Sequence, residues 1–315
     1  MYREDILRDG FQQRVITLRN DYEGKVISTL IRRLSPDTSH KAVLYIHGFN
    51  DYFFQKEMAF RFNGQGYNFF ALDLRKYGRS YLNHQKLNDV RNLKDYFEEI
   101  RLAIEYIYRE GNRNLFLLGH STGGLILTLF AKEYSAAGIF SGLILNSPFF
   151  EFNQPCITKH LIPLAAYMGK FFPKIEVSGG FTEEYGKNLH KSFDGEWDYD
   201  LKWKPNVAPK VNLGWINAIL EAQNELKEPF EINKPVLILH SAKSATNVKD
   251  KNQIRTRDAI LNVKDIDKIA QNIKGDVEII AIEGGLHDLI LSPKEVRDVV
   301  YKSIFEWIDT KSSNK

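Results

Sequence analysis

Among 315 residues there is one cysteine, Cys156. It cannot close an internal disulfide, which excludes a disulfide-stapled fold and suits a reducing compartment. No His or Asn signature surrounds it, so it reads as a small apolar filler rather than a nucleophile. Apolar runs of bilayer-spanning length are missing too, and the opening MYREDILRDG is charged where a signal peptide needs an apolar stretch. The expectation is a cytoplasmic protein with no integral membrane segment. Charge of one sign is scarce: 43 basic against 40 acidic residues leave +3, too little and too dispersed for a nucleic-acid partner. There are no internal repeats and no low-complexity tracts.

What is present can build a core. The chain is 43% hydrophobic and 13% aromatic with 26% charged residues, a globular composition in which only the tail from Lys311 to Lys315 reads as disordered. Short β-branched or aromatic runs alternate with helical patterns. That alternation predicts an α/β fold: a mostly parallel central sheet with helices on both faces. The strand candidates are Val15–Arg19, Lys25–Ile31, Ala42–Ile46, Asn68–Leu72, Leu115–Leu118, Gly142–Leu145, Val236–Leu239 and Val277–Ile282. The first two, joined at Asp21–Gly24, read as an antiparallel hairpin. Helical patterns fall at Gln55–Gly64, Asn88–Arg109, Gly123–Tyr134 and Pro293–Asp309.

The alternation breaks from Ser147 to about Lys234, where strand signals vanish and aromatic residues, Pro and Gly accumulate. Residues 148–234 therefore read as an inserted subdomain, and 1–147 with 235–315 as the core. Within the insertion, Ile157–Phe172 and Asn212–Lys227 have helical spacing, and Gly195–Pro205 looks like an ordered loop. A second irregular stretch, Ser241–Arg257, is polar and aperiodic, the pattern of a long surface loop.

The decisive motif is LFLLGHSTGGLIL, where an apolar strand runs into Gly119-His120-Ser121-Thr122-Gly123 and then directly into a helix. A serine on so sharp a strand-to-helix turn is a nucleophile elbow, with glycine needed on both sides. Acyl transfer at Ser121 needs preorganised N–H donors for the oxyanion, one just after the nucleophile and one from the loop after an earlier strand. Thr122 and Phe49, the latter in AVLYIHGFNDY, are the candidates. His287, in VEIIAIEGGLHDLIL, stands between the last strand and the last helix and is the candidate general base. His47 is read as structural, His120 as turned away from the chemistry and His240 as packed at a strand end. His40, His84, His160 and His190 lie in polar or inserted segments.

The stretches YIHGFNDYFF, GYNFFALDLRKYGRS, GHSTGG, PVLILH and GGLHD together resemble the monoacylglycerol lipase, lysophospholipase and serine aminopeptidase-like branch of the α/β-hydrolases. The resemblance spans nearly the whole chain outside the insertion. It implies the α/β-hydrolase fold, a cap over the active site, no metal or organic cofactor, and the triad order Ser, acid, His, which His287 meets. Two departures stand out: Lys76 and Tyr77 replace the Gly and His of the family's DxRGHGxS pattern, and Thr122 stands where Met is common. The family's acid lies a few residues after the PVLILHG strand, a position that here falls near Ser244, which cannot orient an imidazolium. The family's DxVV pattern recurs as Asp258-Ala259-Ile260-Leu261, 29 residues before His287. Asp258 is thus the implied acid, with Ser241–Arg257 inserted ahead of it and Asp250 and Asp265 as runners-up.

The expected activity is hydrolysis of a small-molecule carboxylic ester with an apolar acyl group, such as a monoacylglycerol or lysophospholipid, through an acyl-enzyme. Apolar cap residues such as Phe150 and Phe171 are expected to line the acyl pocket. The alternatives are a peptidase of the serine aminopeptidase type, whose substrate amine Glu196, Asp198 or Asp200 would hold, and a non-catalytic hydrolase-like receptor. Serine at the elbow argues against epoxide hydrolases and haloalkane dehalogenases, which resemble a pattern with aspartate there. The oligomeric state is open.

Overall fold

The computed structural model describes residues 1–178 and 183–313, and its centre is a nine-stranded sheet. The strands are β1 (Arg3–Glu4), β2 (Gln12–Thr17), β3 (Ile27–Arg33), β4 (Lys41–Ile46), β5 (Asn68–Asp73), β6 (Asn114–His120), β7 (Gly142–Asn146), β8 (Val236–Ser241) and β9 (Val277–Ile282). Their spatial order is β1-β2-β3-β5-β4-β6-β7-β8-β9. β1 to β3 are antiparallel and β3 pairs antiparallel with β5. From β5 onward every neighbouring pair is parallel.

Parallel strands covered on both faces need apolar interiors, and Ala42–Ile46, Phe69–Leu72 and Leu143–Leu145 supply them. Successive residues serve opposite faces. Leu44 and Ile46 pack with Ile100, Ile104, Leu125 and Leu129 from helices α2 (Tyr96–Arg109) and α3 (Thr122–Tyr134). Val43 and Tyr45 pack with Met58, Phe62, Ile304 and Trp307 from α1 (Lys56–Gly64) and α9 (Lys294–Ser313). The hairpin is closed where Asp21 and Gly24 exchange backbone hydrogen bonds of 2.9 and 3.0 Å.

Three local differences from the sequence reading stand out. The helix expected from Asn88 starts at Tyr96, because Asn88 sits at φ +64° and the Asn92 side chain caps a short 3-10 turn at Leu93–Asp95. β1 is too short to leave a sequence signal. The tail expected to lack order is helical to Ser313, while 314–315 lie outside the described residues.

Between β7 and β8 come α4 (Cys156–Phe171), α5 (Glu183–Leu189), α6 (Leu213–Asn224) and a ribbon pairing Glu176–Val177 with Val211–Asn212. This segment lies against the loops that follow β4 and β5: Tyr52 Oη accepts from Asp200 N at 2.7 Å, and Asn212 Nδ2 donates to Asp89 at 2.7 Å. The stretch from Gly195 to Pro205 is an ordered loop, tied also by Trp197 Nε1 donating to Leu291 O at 3.0 Å. After β8 the polar stretch leaves and returns to one point. Asp258 N donates to Lys243 O at 2.9 Å and Ala245 N to Asp258 O at 2.7 Å. Between these lie turns and the short helix α7 (Lys251–Ile254), followed after Asp258 by α8 (Val263–Ala270).

Candidate active site

Ser121 joins β6 to α3 at φ +51° and ψ −115°, a region that costs a non-glycine residue about 1–3 kcal/mol and persists only where the surroundings enforce it. They do so here. Ser121 N donates to Asn146 O at 3.0 Å, and Ser121 O accepts from Leu125 N and Phe149 N at 3.1 and 3.0 Å. A Cβ on Gly119 would lie 2.7 Å from Gly123 O, and one on Gly123 would lie 2.4 Å from the carbonyl oxygens of Ile46 and His47. Glycine is therefore required on both sides of the turn.

His287 lies on the loop after β9, which is closed by Leu286 N donating to Ser292 Oγ at 3.0 Å. Its Nε2 is 3.0 Å from Ser121 Oγ and its Nδ1 is 2.9 Å from Asp258 Oδ2. A carboxylate only accepts, so Nδ1 carries the hydrogen and Nε2 is left to accept from the serine hydroxyl. Asp258 Oδ1 takes two further bonds, from Ile260 N at 2.8 Å and Leu261 N at 2.7 Å. All three residues are buried. The runners-up lie elsewhere: Asp250 caps α7 and Asp265 faces Lys159 at 3.3 Å.

Thr122 opens α3, where an N–H has no acceptor within the helix, and Phe49 follows β4; both line one pocket with Ser121 and His287. The loop carrying Phe49 is fastened from beneath. His47 Nδ1 donates to Gly48 O at 2.8 Å and its Nε2 accepts from Leu74 N at 3.1 Å, which is a structural role. Burial holds its pKa below the usual imidazole range. Asp73 accepts from Phe53 N at 2.9 Å, and Arg79 donates to Phe53 O at 2.9 Å while pairing with Asp73 at 2.8 Å and Asp5 at 2.7 Å. The DLRKYGRS stretch thus anchors the Phe49 loop.

Lys76, in the family's glycine position, keeps the left-handed backbone at φ +66°. Its buried Nζ lies 2.7 Å from Asp21 and 2.6 Å from Glu23 at the hairpin tip. Tyr77 packs its ring on His47, centroids 4.8 Å apart.

The pocket, a cavity of about 120 Å³, has apolar walls from Phe49, Phe149, Phe152, Trp215, Ile260 and Leu261, and a polar side with Asn50, Asp51, Lys204 and Asn206. Trp215 lies 4.7 Å from Phe49 between ring centroids. The sequence reading missed Trp215, although Asn212, whose side chain accepts from Trp215 N at 2.8 Å, marks the start of its helix.

Two expectations are corrected. Phe150 is packed in the core and Phe171 is exposed, so neither lines the pocket. Along α4, Ala166 is buried while Leu161, Leu164, Tyr167 and Phe171 face solvent; the apolar stripe is real but lies outside the pocket. Likewise His120 is not turned away. It lines the pocket with its ring 4.9 Å from that of His287, because its Nδ1 donates to Asn146 O at 3.2 Å. His240 is packed at its strand end as expected, paired with Asp267 at 2.9 Å.

A mostly parallel sheet, a serine elbow between β6 and α3 and a histidine after the last strand define an α/β-hydrolase, and this hydrolase is built on that plan. It belongs to the family described as Serine aminopeptidase, S33, which matches residues 37–294. The phospholipase YtpA of Bacillus subtilis is 23% identical over 202 residues, covering 63% of this chain and 74% of that protein. A soluble variant of the Saccharomyces cerevisiae monoglyceride lipase, solved with a substrate analog, superposes with a TM-score of 0.69 at 20% identity, covering 95% of this chain and 96% of its own. The monoacylglycerol lipase of Paleococcus ferrophilus does so with a TM-score of 0.65 at 17% identity, covering 95% and 99%. Among the described residues no helix is long and apolar enough to cross a membrane.

Proposed function

We propose that this hydrolase is a serine esterase acting on a small carboxylic ester with an apolar acyl group, a monoacylglycerol or lysophospholipid being the best fit. One observation carries the reading: Ser121 Oγ, His287 and Asp258 stand in line at 3.0 and 2.9 Å, with Ser121 and His287 facing a pocket with aromatic walls. His287 Nε2 takes the hydroxyl proton as Ser121 Oγ attacks the acyl carbonyl, and Asp258 holds the ring and stabilises its charged form. The N–H groups of Phe49 and Thr122 receive the oxyanion. His287 then protonates the departing alcohol, and water cleaves the acyl-enzyme with the same histidine as base.

Residues 148–234 act in this proposal as a cap on a core of 1–147 and 235–315, with Trp215, Phe149 and Phe152 holding the acyl group. The single cysteine suits a reducing compartment, and we place the protein in the cytoplasm. Little favours the peptidase alternative. Glu196 pairs with Arg297 at 2.5 Å, Asp198 pairs with Lys191 at 2.6 Å, Asp200 accepts from Lys202 N at 2.8 Å, and none lines the pocket.

The test is a panel of p-nitrophenyl esters of increasing chain length beside aminoacyl p-nitroanilides. Esters of medium or long chains should be turned over fastest. Cleavage of the anilides alone would replace the esterase with a peptidase, and no turnover of either would favour a non-catalytic role.

A further inference from the structure

We propose that Asp51, His120 and Asp288 form a binding site for one divalent transition-metal ion, of the Zn²⁺ type, in the wall of the pocket. The three residues come from separate elements: the loop after β4, the end of β6 and the turn after His287. One ligand atom from each lies within 4.8 Å of the others, and all three residues are buried.

The arrangement places acceptors against acceptors. His120 Nδ1 is 3.2 Å from Asn146 O, and a carbonyl only accepts, so Nδ1 carries the hydrogen and Nε2 presents a lone pair. In the neutral ring that lone pair is 3.9 Å from Asp288 Oδ2, too far for a hydrogen bond. Asp288 Oδ2 and Asp51 Oδ2 are buried with no partner. The other oxygens are engaged: Asp288 Oδ1 accepts from Asn146 Nδ2 at 2.7 Å and Ile290 N at 3.1 Å, and Asp51 Oδ1 meets Lys204 Nζ at 2.8 Å.

Two carboxylates against one ammonium leave the cluster with excess negative charge, which burial makes costly unless a cation joins it. A single water has two protons for three lone-pair atoms; a cation meets all three and the charge. One imidazole nitrogen with two carboxylate oxygens suits Zn²⁺, whereas Mg²⁺ and Ca²⁺ prefer oxygen alone. Asp51 and His120 line the pocket, so an ion reaches the site from there. Ser121, His287 and Asp258 are not ligands, and no step of the proposed ester chemistry passes through the ion.

The test is equilibrium dialysis of the chelator-stripped full chain against zinc or magnesium chloride, with metal analysis and a thermal melt of each sample. The expected result is one Zn²⁺ per chain at about 100 µM free zinc, a melting temperature that rises with zinc and not with magnesium, and at least about tenfold weaker binding in Asp288→Asn and Asp51→Asn. Asp267→Asn, beside the buried His240, should bind zinc as the parent does. Absence of zinc from the unaltered chain overturns the site without any variant. Zinc retained equally in Asp288→Asn and Asp51→Asn, or lost in Asp267→Asn alone, overturns it too. If Asp288→Asn does not fold, Asp51→Asn decides.

Discussion

Two carboxylates flank His287, Asp258 across space and Asp288 next in sequence; both are almost wholly buried, yet they are wired differently. Asp258 has both oxygens engaged, Oδ1 by Ile260 N and Leu261 N and Oδ2 by His287 Nδ1. Asp288 has Oδ1 engaged by Asn146 and Ile290, while Oδ2 has no hydrogen-bond partner. A carboxylate held by three donors has one orientation and can fix an imidazole; one with a bare buried oxygen is waiting for a proton, a water or an ion. Depth of burial and closeness to the histidine therefore do not by themselves pick out the catalytic acid. The hydrogen-bond inventory is what separates the two.

The sharpest way to break this contrast is to neutralise each acid in turn. Asp258→Asn should lower kcat on a p-nitrophenyl ester on the order of 10⁴-fold, since the amide disfavours the tautomer that His287 needs. Asp288→Asn should lower it about tenfold or less, as expected of a group that touches neither substrate nor the reacting atoms. Equal losses would show that the wiring does not separate the two roles.

A buried charge within ion-pair distance of two carboxylates should be costly to remove. Lys76→Met leaves Asp21 and Glu23 without their ammonium and should cost about 3 kcal/mol in urea unfolding. A loss under about 0.5 kcal/mol would show the hairpin tip to be solvated.

Across the pocket, the contrast runs between residues of the segment joining β7 and β8 that reach the cavity and those that do not. Trp215→Ala should reduce kcat/KM for long-chain esters about tenfold more than for acetyl esters, the worth of a few methylene contacts. Phe171→Ser, on the solvent side of α4, should leave both unchanged. Parallel losses on both substrates would make Trp215 a purely structural residue.

The smallest effect concerns a fully engaged neutral group. Burial lowers the pKa of His47 from the ordinary 6.5, so the unfolded chain takes up a proton that the folded chain resists. The stability this histidine contributes is intact above about pH 6.5 and is lost as the pH falls below it, by up to about 1.4 kcal/mol per pH unit. Unfolding midpoints followed down from neutral pH should fall, and should fall less steeply in His47→Gln.

The elbow was legible because strand, turn and helix are contiguous, so a local pattern carries the whole geometry. Asp258 was reachable only through the likeness to a family. The polar loop hides its position in sequence, and what brings it back beside β8 is the backbone pairing of Lys243 and Ala245 with Asp258. Helical spacing identified the apolar side of α4 but not what that side meets, which is why Phe171 was misplaced. His120 was misjudged for a similar reason: its direction is set by Asn146, at the end of a neighbouring strand. The cluster of Asp51, His120 and Asp288 leaves no sequence trace, since its members meet only when β4, β6 and the last loop share one edge of the sheet.

The central claim is that Ser121, driven by His287 and Asp258, forms a covalent acyl-enzyme. Reaction with a fluorophosphonate, followed by intact and peptide mass spectrometry, tests it most directly. The account predicts one adduct per chain, located on Ser121, and a labelling rate that collapses in Asp258→Asn but largely survives in Asp288→Asn. An adduct on another residue, or no adduct on the folded chain, would contradict it.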